Sequence, residues 1–310
     1  MSDDPKRSMP KAMQALLKRA NVAIKPEFSP GSTISRFLIL AEVGKGGHGI
    51  VYKATDTSTG QTVAIKVLHP HILNDELKLR MKREAYAMQQ LAGTSAAAMY
   101  ECTESPGGQL YLVMEFLEGR DLSGLIEGYE SQGHKVPIPV MVQVLAPIVE
   151  TLQFAHERGI IHRDLKPENI FVLNAGGVRL VDFGLVKDLN LARLTEAGTV
   201  AGSPAYIAPE GWAGRPDQID HRVDVYALGV IVFRILTGVR PFEPGENLMD
   251  FILTVSKSPR PSLRKLAPHL HGSIDDWATR ALAIRPEDRY PTVVDLWRGL
   301  VNVLAKHSVR

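Results

Sequence analysis

From Phe37 the chain falls into short apolar runs with β-branched residues. Phe37–Val43, Ile50–Thr55 and Thr62–Leu68 read as strands, and Asp56–Gly60 supplies turn chemistry between the last two. The stretch Glu76–Leu91 is filled with Lys, Arg, Met and Gln, good helix formers, and predicts a helix. Leu110–Phe116 reads as another strand. After Gly119 the period changes, with a long amphipathic helix over Val140–Glu157 and further helical segments to the C-terminus. The longest apolar stretch, Val225–Phe233, is closed by Arg234; it is too short to cross a membrane and reads as a buried core helix. No repeat interrupts this order. The expectation is an α+β chain with a small β-rich lobe over residues 34–117 and a larger helical lobe over residues 118–306.

Residues 1–33 stand apart. Met13, Leu16, Leu17, Ala20 and Ile24 recur at helical spacing before Pro26, Pro30 and Gly31 break the pattern. Lys6, Arg7, Lys11, Lys18, Arg19 and Lys25 outnumber Asp3, Asp4 and Glu27. The segment reads as a short basic helix with a Pro/Gly linker, either docked or frayed, or as an arm that binds a regulatory partner.

Composition narrows the field. The chain has 310 residues, of which 45% are hydrophobic and 23% charged, so a sizeable core is expected and bulk disorder is excluded. Lys and Arg number 36 against 34 Asp and Glu, a balance of +2 that favours neither nucleic acid nor a membrane surface as partner. Cys102 is the single cysteine and has no internal partner, which fits a reducing, cytoplasmic setting. Asp3 and Asp4 occupy the place where a secretory signal would be basic.

The residues from Gly44 to Val51 fit the pattern GxGxxGxV, with glycines at Gly44, Gly46 and Gly49. Such glycines let backbone N–H groups approach phosphate oxygens. The pattern could also open a dinucleotide-binding unit, but a helix should then follow the third glycine. Here Ile50-Val51-Tyr52-Lys53-Ala54 follows, which is a strand. Val63-Ala64-Ile65-Lys66 places a lysine on a buried strand, where it needs anionic partners. Phosphate oxygens and the carboxylate of Glu84, on the helix Glu76–Leu91, are the candidates.

The strongest signal is His162-Arg163-Asp164-Leu165-Lys166-Pro167-Glu168-Asn169. Asp164 can orient or accept the proton of an attacking hydroxyl, Lys166 can neutralise a transferring phosphoryl group, and Asn169 offers an amide oxygen suited to magnesium. Val181-Asp182-Phe183-Gly184 adds a carboxylate after a short strand, Val178–Val181. Arg163 is cationic at any working pH. A phosphate on Thr195 or Thr199, or a carboxylate such as Glu196, could compensate it.

With these motifs in order, followed by Ala208-Pro209-Glu210, residues 36–305 resemble the eukaryotic-like serine/threonine protein kinases of bacterial type. The resemblance implies a bilobal fold with ATP between the lobes, Mg2+, and transfer of the γ-phosphoryl group to Ser/Thr hydroxyls of protein substrates. It implies that Lys66 contacts the α- and β-phosphates and pairs with Glu84, and that Asn169 and Asp182 hold magnesium. Val51 and Ala64 would line the ATP site. Glu115 to Leu117 would be the hinge that receives adenine, with Met114 guarding a back pocket. Asp224 would brace the catalytic loop and Arg289 would pair with Glu210. Ser203 stands where the family usually has threonine, and its hydroxyl can still reach Asp164 and Lys166. One stretch departs from the family. After Leu91, Ala92-Gly93-Thr94-Ser95-Ala96-Ala97-Ala98-Met99 replaces a His-Pro-Asn pattern, which bears on how the Glu84 helix is anchored. Three other readings fit less well. A pseudokinase usually lacks one of Lys66, Asp164 or Asp182. A small-molecule kinase lacks the Ala-Pro-Glu segment and the Asp224 helix. A dinucleotide oxidoreductase needs the missing helix after Gly49.

Overall fold

The computed structural model describes residues 28–46, 49–69, 75–105, 108–183, 204–213, 219–245 and 247–306. Residues 1–27, Thr195, Thr199 and Ser203 lie outside them, as does the side chain of Glu84.

The small lobe is an antiparallel sheet of six strands in the order β1-β2-β3-β4-β6-β5. These are β1 (Thr33–Ile34), β2 (Phe37–Gly46), β3 (Gly49–Asp56), β4 (Thr62–Leu68), β5 (Met99–Glu104) and β6 (Leu110–Glu115). Helix α1 (Asp75–Gln89) packs on one face through Met81 and Ala85, against Leu68, Leu110 and Leu112. The other face buries Phe37, Tyr52, Ile65, Tyr111 and Val113, with Phe28 set edge-on to Tyr52 at 6.0 Å. Phe28 and Thr33 therefore contribute to the small lobe. The Asp56 carboxylate caps the β3–β4 turn by accepting from Ser58 N and Ser58 Oγ, and those bonds lead in holding it down at about 2.

The large lobe opens with β7 (Gly119–Asp121), which pairs with β8 (Ile170–Leu173) and through it with β9 (Val178–Leu180). Asp121 caps helix α2 (Leu122–Glu130) by accepting from Gly124 N. Helix α3 (Ile138–His156) has the length and composition of a membrane span, yet Val144, Leu145, Ile148 and Leu152 bury its inner stripe in the lobe core. Helix α4 (Arg222–Thr237) is buried along nearly its whole length, which explains why its sequence is apolar all round. It stops at Gly238, whose φ of 83° lets its N–H return to Arg234 O. Around α4 pack α5 (Leu248–Lys257), α6 (Leu263–Leu266), α7 (Ile274–Ala281) and α8 (Val293–Ala305), and Trp277 Nε1 donates to Leu296 O within that core.

The departure after Leu91 is anchored through its own hydroxyls and backbone. Thr94 Oγ1 donates to Leu91 O, Ser95 N donates to Thr151 Oγ1 on α3, and Leu180 N donates to Ser95 O at 2.7 Å. Ala97 N returns to Leu180 O. The loop after α1 is thus stitched to the large lobe without an imidazole.

Candidate active site

Val51 opposes Lys66 across β3 and β4, while Ala64 and Lys66 oppose Met114 and Leu112 on β6. Directly opposed residues share a sheet face. Val51, Ala64, Lys66, Leu112 and Met114 therefore line the face opposite the Phe37 and Tyr52 cluster. A cavity of about 20 Å³ lies behind Met114, bounded also by Leu112, Asp182 and Phe183.

The three motif glycines have different reasons. A Cβ at Gly49 would collide with the carbonyl oxygen of Val67 on β4, so the sheet itself demands glycine there. At Gly46 nothing lies within 4 Å of such an atom, and at Gly44 only Val51 Cβ does, at 3.9 Å. Those two leave open space over the backbone, room for an incoming group.

Asp164, Lys166, Asn169, Asp182 and Lys66 meet at the mouth of the large lobe. Lys66 Nζ donates to Asp182 Oδ1 at 2.6 Å. Loss of solvent works to raise the Asp182 carboxyl, but the charge and hydrogen bond of Lys66 outweigh it and hold the group below its ordinary value. Lys166 Nζ donates to Asp164 Oδ2 at 3.0 Å. The Asn169 amide nitrogen donates to Asp164 O at 2.8 Å, which turns the Asn169 carbonyl oxygen away from Asp164. That oxygen and the Asp182 carboxylate are hard donors, a set that fits magnesium.

Asp224 holds this loop from below. Its carboxylate, 1% exposed on α4, accepts from His162 N at 2.8 Å, Arg163 N at 2.9 Å and His156 Nε2 at 2.8 Å. Burial works to raise this group; the His156 bond and the neighbouring histidines outweigh it and keep it ionised. The two N–H bonds pin Arg163 at a φ of 62°, a left-handed conformation that non-glycine residues rarely adopt. Asp182 also lies in the left-handed region, at a φ of 52°.

His162 ties the two segments together. Its Nε2 lies 3.0 Å from Val181 O, its Nδ1 accepts from Asp164 N at 3.2 Å, and its ring sits 4.5 Å from that of Phe183. Only the neutral Nε2–H tautomer satisfies both bonds. Burial accordingly lowers its pKa, against the pull of Asp224 and Asp164.

Glu115 and Leu117 flank the connection from β6 to β7. Glu115 opposes Val63, on the face away from Lys66, so its carboxylate lies behind this connection. There it accepts from Arg179 Nε at 3.0 Å and Ala98 N at 3.2 Å. Farther down, Arg289 grips Glu210 with two bonds of 2.6 Å and fills its other donors with the carbonyls of Ala283, Ile284 and Arg222. Sequence reading did not single out His156 or Arg179. The only signal was position: His156 ends the helix before the loop, and Arg179 stands three residues before Asp182.

The chain is similar to known proteins in sequence and in fold. The protein kinase domain family matches residues 37–296. The chain is 36% identical to the serine/threonine-protein kinase Pkn1 of Myxococcus xanthus, over 89% of this chain and 39% of that protein. It is 34% identical to a probable serine/threonine-protein kinase PknB of Lactococcus lactis, over 84% of this chain and 41% of that protein. With PknL of Mycobacterium tuberculosis the identity is 34%, over 86% of this chain and 65% of that protein. The chain thus spans about two fifths of the first two relatives and about two thirds of the third. In fold it is similar to the kinase domain of PknI from Mycobacterium tuberculosis, with a TM-score of 0.70 and 24% identity over 91% of this chain and 99% of that one. It is also similar to the apo form of PpkA-294, with a TM-score of 0.71 and 22% identity over 88% of this chain and 99% of that one. By the family match over most of its length, the chain belongs to the protein kinase domain family.

Proposed function

We propose that this chain transfers the γ-phosphoryl group of ATP to serine or threonine hydroxyls of protein substrates. The observation that carries the reading is the convergence of Lys66, Asp164, Lys166, Asn169 and Asp182 on one cleft, tied by the Lys66–Asp182 and Lys166–Asp164 bonds. In this reading ATP lies between the lobes, its adenine against Val51 and Ala64 and toward the backbone of Glu115 and Leu117. Gly44 and Gly46 leave room for the phosphates, and Lys66 contacts them. Asp164 orients the substrate hydroxyl and receives its proton. Lys166 neutralises charge on the group in transfer. Asn169 and Asp182 would hold magnesium, which when bound neutralises phosphate charge. Positioning then supplies most of the rate, because the arrangement is set before substrate arrives.

Thr195 and Thr199 are the regulatory part of the reading. They are hydroxyls between Asp182 and Glu210, and autophosphorylation there would order that segment beside Arg163. Ser203 would bond Asp164 and Lys166. Glu84 would pair with Lys66 once nucleotide is bound. The reducing, cytoplasmic side of a cell supplies ATP and suits the free Cys102.

Asp182→Asn and Lys66→Met test the assignment. Both should lose nearly all turnover with labelled ATP and a protein acceptor while keeping the wild-type melting profile. Undiminished turnover of Asp182→Asn at saturating magnesium would remove the metal role from that residue.

A further inference from the structure

A groove of about 1020 Å³ runs between the loop after α1, strand β5 and helix α3. Leu91, Ala97, Met99, Pro147 and Phe154 give it apolar walls. The Glu115–Arg179 pair lies at its edge, and exposed Glu150 has no ion pair among the described residues. Its volume is at the top of the roughly 300–1,000 Å³ usual for small-molecule pockets. Small side chains from Ala92 to Ala98 keep the wall low, and a Cβ at Gly93 would meet nothing within 4 Å. That is the shape of a seat for a helix.

We propose that this groove is the docking site of residues 10–24 of the same chain, seated as an amphipathic helix. Three observations single out this occupant. Met13, Leu16, Leu17, Ala20 and Ile24 follow the i, i+3, i+4, i+7 spacing by which helices anchor in grooves. Lys11, Lys18 and Arg19 flank that stripe, and the charge the groove leaves open is the carboxylate of Glu150. The tether also spans the sheet as far as its edge strand. The described chain begins at Phe28, against Tyr52 on β3. Three strand spacings of about 4.8 Å separate β3 from β5, the outer strand that walls the groove. The steps from Ile24 to Phe28 span up to about 14 Å, the lateral distance from β3 to β5. The Arg36–Glu101 ion pair, 3.1 Å, shows that this end of the chain already lies beside β5.

The test uses the full chain with benzoyl-phenylalanine in place of Leu17, irradiated and mapped by mass spectrometry. The expected product is an adduct within one molecule to residues 88–100 or 147–154. Its yield should fall several-fold with Glu150→Lys and stay unchanged with Glu127→Lys, an exposed charge elsewhere. An adduct joining two molecules, an adduct outside the groove, no adduct, or a yield indifferent to Glu150→Lys overturns the proposal. An independent readout avoids the bulky probe. In the full chain, Leu16→Asp with Leu17→Asp should speed amide exchange across residues 92–98 several-fold. Unchanged exchange there also overturns it.

Discussion

Asp224→Asn separates the geometry of loop 162–169 from its proposed chemistry. The carboxylate receives His162 N and His156 Nε2 on Oδ2 and Arg163 N on Oδ1. An asparagine keeps the size but has one oxygen. If that oxygen keeps the Oδ2 place, the new NH2 group faces Arg163 N–H, donor against donor. One hydrogen bond to a charged acceptor is lost, worth about 1.5–3 kcal/mol, and a buried donor is left without an acceptor. The sum is about 3 kcal/mol, which lowers Tm by about 5 °C for a chain of this length. The functional effect should be larger than the stability effect suggests. Arg163 is held in the left-handed region by the bond that is lost, and its release shifts Asp164, the next residue. A displacement of about 1 Å at such a group costs about a hundredfold in kcat. KM for ATP should change less than about threefold, because Lys66, the glycine loop and the hinge are untouched. Thermal melts and steady-state kinetics on the purified variant read both quantities. Wild-type kcat with an unchanged Tm would refute the bracing role of Asp224, and a raised KM with unchanged kcat would refute the route through Arg163.

Three further outcomes are expected. Arg289→Ala strands the Glu210 carboxylate in a largely buried site and should cost about 3–5 kcal/mol by urea denaturation, with the Arg289→Ala/Glu210→Ala pair costing less than the sum of the singles. Stability should fall as pH drops below 6.5, the ordinary value for His162, because the fold holds this imidazole neutral and the unfolded chain takes up the proton first. The contribution is complete above that pH, so equal denaturation midpoints at pH 7.5 and 5.5 would contradict a buried neutral His162. Mass spectrometry after incubation with ATP and magnesium should find phosphate on Thr195 or Thr199, and Thr195→Ala/Thr199→Ala should lower activity several-fold; full activity in the double variant rejects phosphate-driven ordering.

Apolar periodicity carried most of the fold. The runs at Phe37, Ile50 and Thr62 became β2, β3 and β4, and the unbroken Val225–Phe233 became the middle of α4. Strand β5 was not legible, because Met-Tyr-Glu-Cys-Thr-Glu sits at the sheet edge and alternates only weakly. The two-residue β1 and three-residue β7 are too short to show a period. At the site, Asp164, Asn169 and Asp182 were legible because they stand in one short stretch of sequence, and Lys66, 116 residues before Asp182, because Val63-Ala64-Ile65-Lys66 is a pattern of its own. His156 and Arg179 act through Asp224 and Glu115, which lie 68 and 64 residues away, and no local pattern announces such a partner. The glycine motif was legible, but not its division of labour. Gly49 is required by the neighbouring strand, and only its two companions leave space for a ligand.

The most direct measurement is phosphoamino-acid analysis of a protein acceptor incubated with the purified chain, magnesium and ATP labelled in the γ-phosphate. Label is expected on serine or threonine and none on tyrosine, with loss of nearly all label in Asp164→Ala while the variant melts like the parent. Label on tyrosine, no label with the parent chain, or equal label from Asp164→Ala would contradict the proposed function.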